Sequence, residues 1–328
     1  LIHSHLFVID PLESLNVTLD SSLRIMFELA ALGNHICVCE PRQLLWTTDA
    51  GALAVTRELG FGRDATEFKV GSEKVIPLED FSAIHMRKDP PYDLDYVATT
   101  WLLDPAAHVT KIYNHPEALR RYNEKLAIFR FPKDIRPAMV SSDPKVLFDF
   151  IVTRCHGDAV IKPLTLFGGR GVLRLQLEDA SASKGAFMSQ QVLLQVLQNE
   201  TENGQHLRLV QPFDKAIFDG EVRVFTAFGE PIAWCLKKPA KGQFLANTRA
   251  GAELVDYKPS SEEEARVRRI ATELLRDGVA FVGFDLIGGF VSEINLTSPR
   301  LLQAPGKLDN PYRRIAELVV KDISSAAK

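Results

Sequence analysis

The sequence predicts an α/β fold, α+β overall, that opens on a doubly wound sheet, and three observations predict it. Residues 6–39 read as strand, loop, helix and strand. After Pro137 short strands and helices keep alternating. The chain has 328 residues, 46% of them hydrophobic, which is more than one ordinary compact domain needs, so two or three subdomains are expected.

The first strand is Leu6-Phe7-Val8-Ile9, ended by Asp10-Pro11. Asp20-Ser21-Ser22 has the composition of a helix N-cap and opens an amphipathic helix that runs through Ala31 to Gly33. Ile36-Cys37-Val38-Cys39 is the next strand. In a doubly wound sheet ligands gather at the carboxyl ends of strands, which would bring residues 10–22 and 86–91 to one edge. No Gly-rich dinucleotide fingerprint follows the first strand. Residues 48–80 carry short strand-like pieces, 81–86 form a strand, and 95–103 and 116–131 have helical periodicity. A boundary falls near residue 120, giving units 1–120, 121–200 and 201–328. In the second unit, helices are expected at 145–152 and 186–198 and strands at 159–163, 172–175 and 207–212. In the third, strands are expected at 222–228, 231–237, 279–287 and 291–296, with helices at 261–277 and 311–323.

Composition excludes several function classes. A net charge of -3 and a pI near 6.3 provide no general attraction to nucleic acid or anionic lipid, so an anionic ligand would need a local cluster of Lys, Arg and backbone N–H groups. The four cysteines lack C-x-x-C spacing, which suits a reducing compartment, and Cys37 and Cys39 share one strand face as packing residues. The eight histidines show no zinc pattern; His3 and His5 have ligand-like spacing but no partner cluster. No stretch has membrane-spanning length and no secretory signature is present, so a cytoplasmic protein is expected.

Two segments carry chemistry. Residues 283–295 read as two strands joined by a glycine turn, and the polar residues inside them are the anomaly. Glu293 and Asn295 share a face by the two-residue period. A three-residue loop at 288–290 would set Asp285 opposite Glu293, whereas a two-residue turn would put them on opposite faces. Carboxylates facing each other repel, and a bound dication such as Mg2+ relieves this; exposed carboxylates on a solvated hairpin are the other reading. In the second segment, Ala159-Val160-Ile161-Lys162-Pro163 leads through Phe167-Gly168-Gly169-Arg170-Gly171 into another strand. Such a loop lets backbone N–H groups approach phosphates with Lys162 as a nearby point charge, although a plain hairpin turn has the same local pattern. It is not a Walker loop, since G-x-x-x-x-G-K-[ST] is absent.

Met86-Arg87-Lys88-Asp89-Pro90-Pro91, Asn123-Glu124-Lys125-Leu126, Ile161-Lys162-Pro163-Leu164, Phe281-Val282-Gly283-Phe284-Asp285 and Glu293-Ile294-Asn295-Leu296-Thr297-Ser298-Pro299 occur in that order. Together they closely resemble bacterial glutathione synthetases of the ATP-grasp superfamily, along nearly the whole chain. The resemblance implies an ATP-grasp fold behind an N-terminal substrate domain, a lid in the central unit and catalysis in the last. It implies an ATP-dependent ligase that joins a carboxylate to an amine through an acyl phosphate, with Mg2+ as cofactor and Mn2+ as its substitute. Its implied partners are small molecules, with no nucleic acid and no membrane, and it implies a homo-oligomer.

Residue by residue, the resemblance implies that Lys125 and Lys162 contact ATP phosphates beside Gly168 and Gly169. Gln211, Pro212 and Phe213 would be the hinge beside adenine, and Asp285, Glu293 and Asn295 would hold magnesium. Glu221-Val222-Arg223 stands for the acid-x-Arg element that touches nucleotide and substrate, with Glu where Asp is usual. Asn247 and Arg249 fall in the loop that binds substrate and phosphate. Asp20, Ser21, Arg87, Lys88, Thr297 and Ser298 would be substrate contacts, although an N-cap equally explains Asp20 and Ser21. The chain departs from the family in its lid, where Thr165, Leu166 and Phe167 replace an acidic residue, a glycine and methionine and where Arg170 is added, and at 245–249, which lacks Arg-Gly before Asn. These departures leave open a sibling ligase with other substrates and a nucleotide-binding module without turnover.

Overall fold

The computed structural model describes residues 2–166, 168–178, 188–248, 251–307 and 309–326. The first third contains β1 (Ser4–Val8), α1 (Ser21–Ala31), β2 (His35–Cys39), β3 (Leu44–Thr47), β4 (Gly51–Phe61), β5 (Phe68–Pro77), β6 (Ala83–Met86), α2 (Leu94–Leu103), β7 (Lys111–Tyr113) and α3 (Pro116–Arg121). Strands β2, β1, β6 and β7 run parallel in that order. Their near-continuous apolar runs follow from burial on both faces: Leu6, Phe7 and Val8 are fully buried. The strand-like pieces at 48–80 form β4 and β5, which with β3 make a long antiparallel extension attached to β2 through β4. Asp20 caps α1 by accepting from the Leu23 amide at 2.9 Å.

The helical pattern expected over 116–131 breaks after Arg121. The Asn123 carboxamide accepts from the Lys125 amide at 3.0 Å and the Leu126 amide at 3.3 Å. That local turn competes with the helix and wins, and only a short 3-10 turn follows at Ala127–Arg130.

A second sheet has the order β10-β9-β11-β8, from β8 (Met139–Ser141), β9 (Asp158–Pro163), β10 (Leu173–Gln176) and β11 (Arg208–Pro212). Helices α4 (Pro144–Arg154) and α5 (Gln190–Glu200) close its core with Leu147, Ile151, Leu193 and Leu197. The third sheet, order β14-β13-β12-β15-β16, is antiparallel throughout, from β12 (Glu221–Ala227), β13 (Glu230–Lys238), β14 (Glu253–Asp256), β15 (Phe281–Ile287) and β16 (Phe290–Asn295). Helix α6 (Ser261–Arg276) buries Val267, Ile270 and Leu274 behind it, and its N-terminus has a full capping box between Ser260 and Glu263. Helix α7 (Pro311–Ala326) returns to pack on α1, so that Ile315 and Val319 share one core with Leu23, Met26, Phe225 and Phe281.

That shared core joins the first sheet to the third, and polar clamps orient the join. The buried Asn114 carboxamide, just after β7, donates to the carbonyls of Phe281 at 2.8 Å and Leu296 at 2.7 Å and accepts from the Phe281 amide at 2.8 Å. The carboxyl edge of the parallel strands therefore faces the loop that follows β16. Asp10 and residues 87–89 meet there as the doubly wound pattern predicts, with the Asp89 amide donating to Asp10 at 2.8 Å and Lys88 paired to Asp10 at 2.9 Å.

His3 and His5 are packing residues. His5 Nδ1 lies 3.2 Å from Nε2 of His85, and the His85 ring stacks on Phe7 at 4.1 Å. Burial pushes His5 down to about 3 and His85 well below the usual imidazole range. Below pH 6.5 the unfolded chain therefore binds protons that the folded chain refuses, so stability falls as pH drops from 6.5 toward 3, by about 1.4 kcal/mol per pH unit for each group. Urea unfolding at pH 7 and pH 5 should show this loss, and His85→Leu should reduce its slope by about one proton.

Candidate active site

The carboxyl edge of the first sheet, the second sheet and the open face of the third line one cleft. Its floor is the β15–β16 hairpin. Gly288 and Gly289 form a two-residue turn with φ +56 and +79, the left-handed pair that a tight hairpin of this twist requires. A regular ladder from that turn would pair Asp285 with Ser292 and send Glu293 to the other face. Instead the ladder shifts between Asp285 and Leu286: Leu286 pairs with Val291, Ser292 is skipped, and Asp285 pairs with Glu293. The expected juxtaposition is present, but a bulge at Ser292 produces it in place of a three-residue loop. The Ser292 hydroxyl donates to the Asp285 carbonyl at 3.2 Å across the bulge.

The two carboxylates are not left to repel each other. Asp285, 4% exposed, is paired with Lys237 at 2.7 Å and Arg223 at 3.3 Å. Burial alone would raise its pKa, but Arg223 and Lys237, with hydrogen bonds from Lys237 and Asn295, together hold it below the usual carboxylate range. Glu221 bonds Lys237 from the other side at 2.5 Å. Glu293 is paired with Lys125 at 3.3 Å. The Asn295 amide nitrogen donates to the Gly283 carbonyl at 3.1 Å and to Asp285 Oδ2 at 3.0 Å, which fixes its oxygen as the group available to a ligand. Among the described residues no three His, Cys, Asp or Glu side chains converge as a metal site; the donors here are two carboxylates and an amide. Their hard oxygens fit magnesium. Arg223 Nε and Nη1 are buried without a hydrogen-bond partner among the described residues, although Nη1 lies near Asp285, and such orphaned donors fit an anionic ligand.

Lys162 and Gln211 lie on β9 and β11 and line the cleft with Pro212 and Phe213. Phe213 packs with Val160, Phe244 and Ile287 in a small apolar slot, and the Arg174 guanidinium stands 3.5 Å over its ring. The glycine loop joins the antiparallel pair β9 and β10. Its Gly168 carbonyl accepts from the Asn247 side chain and its Leu166 carbonyl from Lys125. Gly168, Gly169, Asn247, Thr297 and Ser298 line the cleft as well. Arg249 and Phe167 lie outside the described residues.

Asp20, Ser21, Arg87 and Lys88 do not line the cleft as described; they build its edge. Arg87 is buried and donates to Ser22 Oγ and the Pro299 carbonyl, both at 3.0 Å, while Ser21 Oγ accepts from the Leu301 amide at 3.0 Å. Asp20 caps α1, and Lys88 is held by Asp10. The lining residues from this region are Asp89 and Pro90.

Residues 4–120 match the N-terminal domain of prokaryotic glutathione synthetase, and residues 124–308 match the ATP-grasp domain of the same enzyme. The chain belongs to the prokaryotic glutathione synthetase family. Among its relatives, the glutathione synthetase of Ralstonia nicotianae is 32% identical over 300 residues, covering 91% of this chain and 89% of its own. That of Pseudomonas putida is 34% identical, covering 90% of each. Solved ATP-grasp structures share the fold: D-cycloserine synthetase superposes with a TM-score of 0.66 at 15% identity, over 97% of this chain and 99% of its own. The ligase PsnB, solved with a precursor, Mg and ADP, gives 0.60 at 16% identity, over 97% of each chain.

Sequence reasoning missed two residues that line this cleft. Lys237 continues the buried face of β13 set by Ala233 and Cys235, so a lysine in phase with buried residues was the available signal. Glu124, quoted within its motif without a role, accepts through Oε1 from the Leu296 amide at 2.9 Å, the Thr297 amide at 3.0 Å and the Thr297 hydroxyl at 2.8 Å. Burial raises its pKa against those bonds. Glu124→Ala should lose about 2–4 kcal/mol in urea unfolding because three donors lose their acceptor, and Glu124→Gln, which keeps an oxygen there, under about 1 kcal/mol.

Proposed function

We propose that this protein is a glutathione synthase that joins γ-glutamylcysteine to glycine at the expense of ATP, in the cytoplasm. Family membership makes it an ATP-dependent ligase forming carbon–nitrogen bonds. The observation that carries the site is the cross-strand pair Asp285–Glu293 beside Asn295 and Arg223, whose Nε and Nη1 are buried with their donors unmet.

A carboxylate is a poor acyl donor because its oxygen leaves badly. Transfer of the γ-phosphoryl group of ATP to it gives an acyl phosphate, from which the amine then displaces phosphate. In this reading the adenine ring enters the apolar slot at Phe213, beside Gln211 and Pro212, with Glu221 toward the ribose side. Lys125 and Lys162 face the phosphates, with Gly168 and Gly169 as the part of the lid that approaches them. Asp285, Glu293 and Asn295 would hold Mg2+, or Mn2+ in its place, which neutralises phosphate charge when bound. Arg223 supplies its unmet donors to the transferring group, Asn247 ties the lid down, and Arg249 would add charge from the same loop. Thr297 and Ser298 present polar groups to the substrate on the far side of the floor, where Asp89 and Pro90 close the cleft. Asp20, Ser21, Arg87 and Lys88 hold that edge and act on substrate through it. Keeping water from the acyl phosphate is the lid's task, so no nucleophilic side chain is needed.

ADP release should appear when ATP, γ-glutamylcysteine and glycine are all present. Release with a different acid and amine would replace the proposal with a sibling ligase, and ATP binding without release under any pair would replace it with a nucleotide-binding protein. Glu293→Ala should abolish that release while binding of the dipeptide persists; full activity in this variant would sink the magnesium assignment. Deletion of Ser292 removes the bulge and leaves Glu293 paired with Asp285 in a regular ladder. Circular dichroism and metal-dependent ADP binding, measured by calorimetry, should both remain close to wild type, because the ladder beyond the bulge keeps its register.

A further inference from the structure

Arg300 lines the cleft but has no part in the phosphoryl chemistry above. Most cations of the cleft are already matched: Lys125 with Glu293, Arg136 with Asp214, and both Arg223 and Lys237 with Asp285. Lys162 and Arg300 differ. Among the described residues neither side chain has a hydrogen-bond or ion-pair partner. Lys162 faces the phosphates in the reading above. Arg300 stands on the segment that leaves β16, at the end of the cleft lined by Asp89, Pro90, Thr297 and Ser298.

The backbone is pinned on both sides of Arg300. The Pro299 carbonyl accepts from Arg87 at 3.0 Å, and the Leu301 amide donates to Ser21 Oγ at 3.0 Å. The Tyr312 hydroxyl donates to the Leu301 carbonyl at 3.4 Å. The first sheet thus fixes where the side chain of residue 300 leaves the chain. That side chain is partly buried, and a guanidinium drawn from bulk water without an acceptor is a ready partner for an anion. The carboxylates of this end do not meet it: Glu124 is turned to Leu296 and Thr297, and Asp89 makes no ion pair with it. Gly283 relates this end to the reacting centre. A Cβ there would lie 2.8 Å from Arg223 Nη1 and 3.1 Å from Pro299 Cβ, so Pro299 packs beside the arginine of the floor and Arg300 follows it. γ-Glutamylcysteine carries two carboxylates. The one that attacks the γ-phosphoryl group needs a free lone pair, which an ion pair with a second guanidinium would withdraw. The other, on the α-carbon of the γ-glutamyl group, makes no bond and suits a planar, two-pronged donor.

We propose that Arg300 anchors the α-carboxylate of the γ-glutamyl group, so that the edge held by Ser21 and Arg87 selects the acid substrate through this side chain. The inference rests on the γ-glutamylcysteine reading above. The test compares full-length wild type, Arg300→Gln and Arg300→Lys on γ-glutamylcysteine and on 4-aminobutyryl-cysteine, which lacks only that carboxylate. Arg300→Gln should raise the KM for γ-glutamylcysteine at least tenfold, roughly the worth of a charge-assisted pair, with Arg300→Lys in between and the KM for ATP unchanged. The wild type should use 4-aminobutyryl-cysteine at least tenfold less efficiently than γ-glutamylcysteine, and Arg300→Gln should treat the two nearly alike, the loss being roughly that of the same pair. Arg300 bonds no described residue, so urea unfolding of the variants should match the wild type. An unchanged KM for γ-glutamylcysteine in Arg300→Gln, or an equal penalty for the missing carboxylate in wild type and variant, would overturn the inference and leave the glutathione synthase reading standing. A wild type that neither binds nor turns over γ-glutamylcysteine would overturn both.

Discussion

The buried carboxylate of Asp285 is the constraint on which the third sheet is arranged. A charge with 4% exposure costs several kcal/mol unless it is paired and hydrogen-bonded. The sheet meets that demand from three neighbouring strands: Arg223 from β12, Lys237 from β13 and Asn295 from β16. Each of these sits on a strand of the sheet and is fixed by ladder register and not by a flexible loop. The bulge at Ser292 belongs to the same requirement, because without it the hairpin turn would carry Glu293 away from Asp285.

The first sheet reaches this floor through the segment that leaves β16. Asn114 holds the Leu296 carbonyl, Glu124 holds the amides of Leu296 and Thr297, Arg87 holds the Pro299 carbonyl and Ser21 holds the Leu301 amide. Four side chains from separate places in the first 124 residues thereby fix five backbone polar groups over residues 296–301. Loose packing between the sheets would not deliver this. Hydrogen bonds to a buried segment are directional, and each one broken leaves a desolvated partner, so the cleft's edge is rigid relative to its floor.

Much of this was legible in the sequence because it rests on local periodicity. The run from Leu6 to Ile9, the capped helix after Asp20 and the strands around Asp285 and Glu293 all stand where the apolar pattern puts them. Register was harder. A single skipped residue, Ser292, reverses a parity argument, and nothing in Gly288-Gly289-Phe290 distinguishes a three-residue loop from a two-residue turn followed by a bulge. Long-range polar work was illegible for another reason. Arg87 and Ser21 look the same in a sequence whether they face a ligand or the backbone near Pro299 and Leu301, because their partners lie more than 200 residues away. Lys237 was readable by its phase, but a lysine on a strand next to Lys238 looks like a strand end entering solvent.

Lys125 joins the two halves of the argument. Its ammonium, on a side chain only 6% exposed, bonds both Glu293 on the floor and the Leu166 carbonyl in the glycine loop, and Asn247 bonds the Gly168 carbonyl two residues on. The loop is thus tied down by one charged and one neutral group, and the charged one is also the counter-ion of the floor carboxylate. Any cation that arrives at Glu293 competes with Lys125 for the same oxygen. The floor carboxylate and the glycine loop are therefore linked through one side chain.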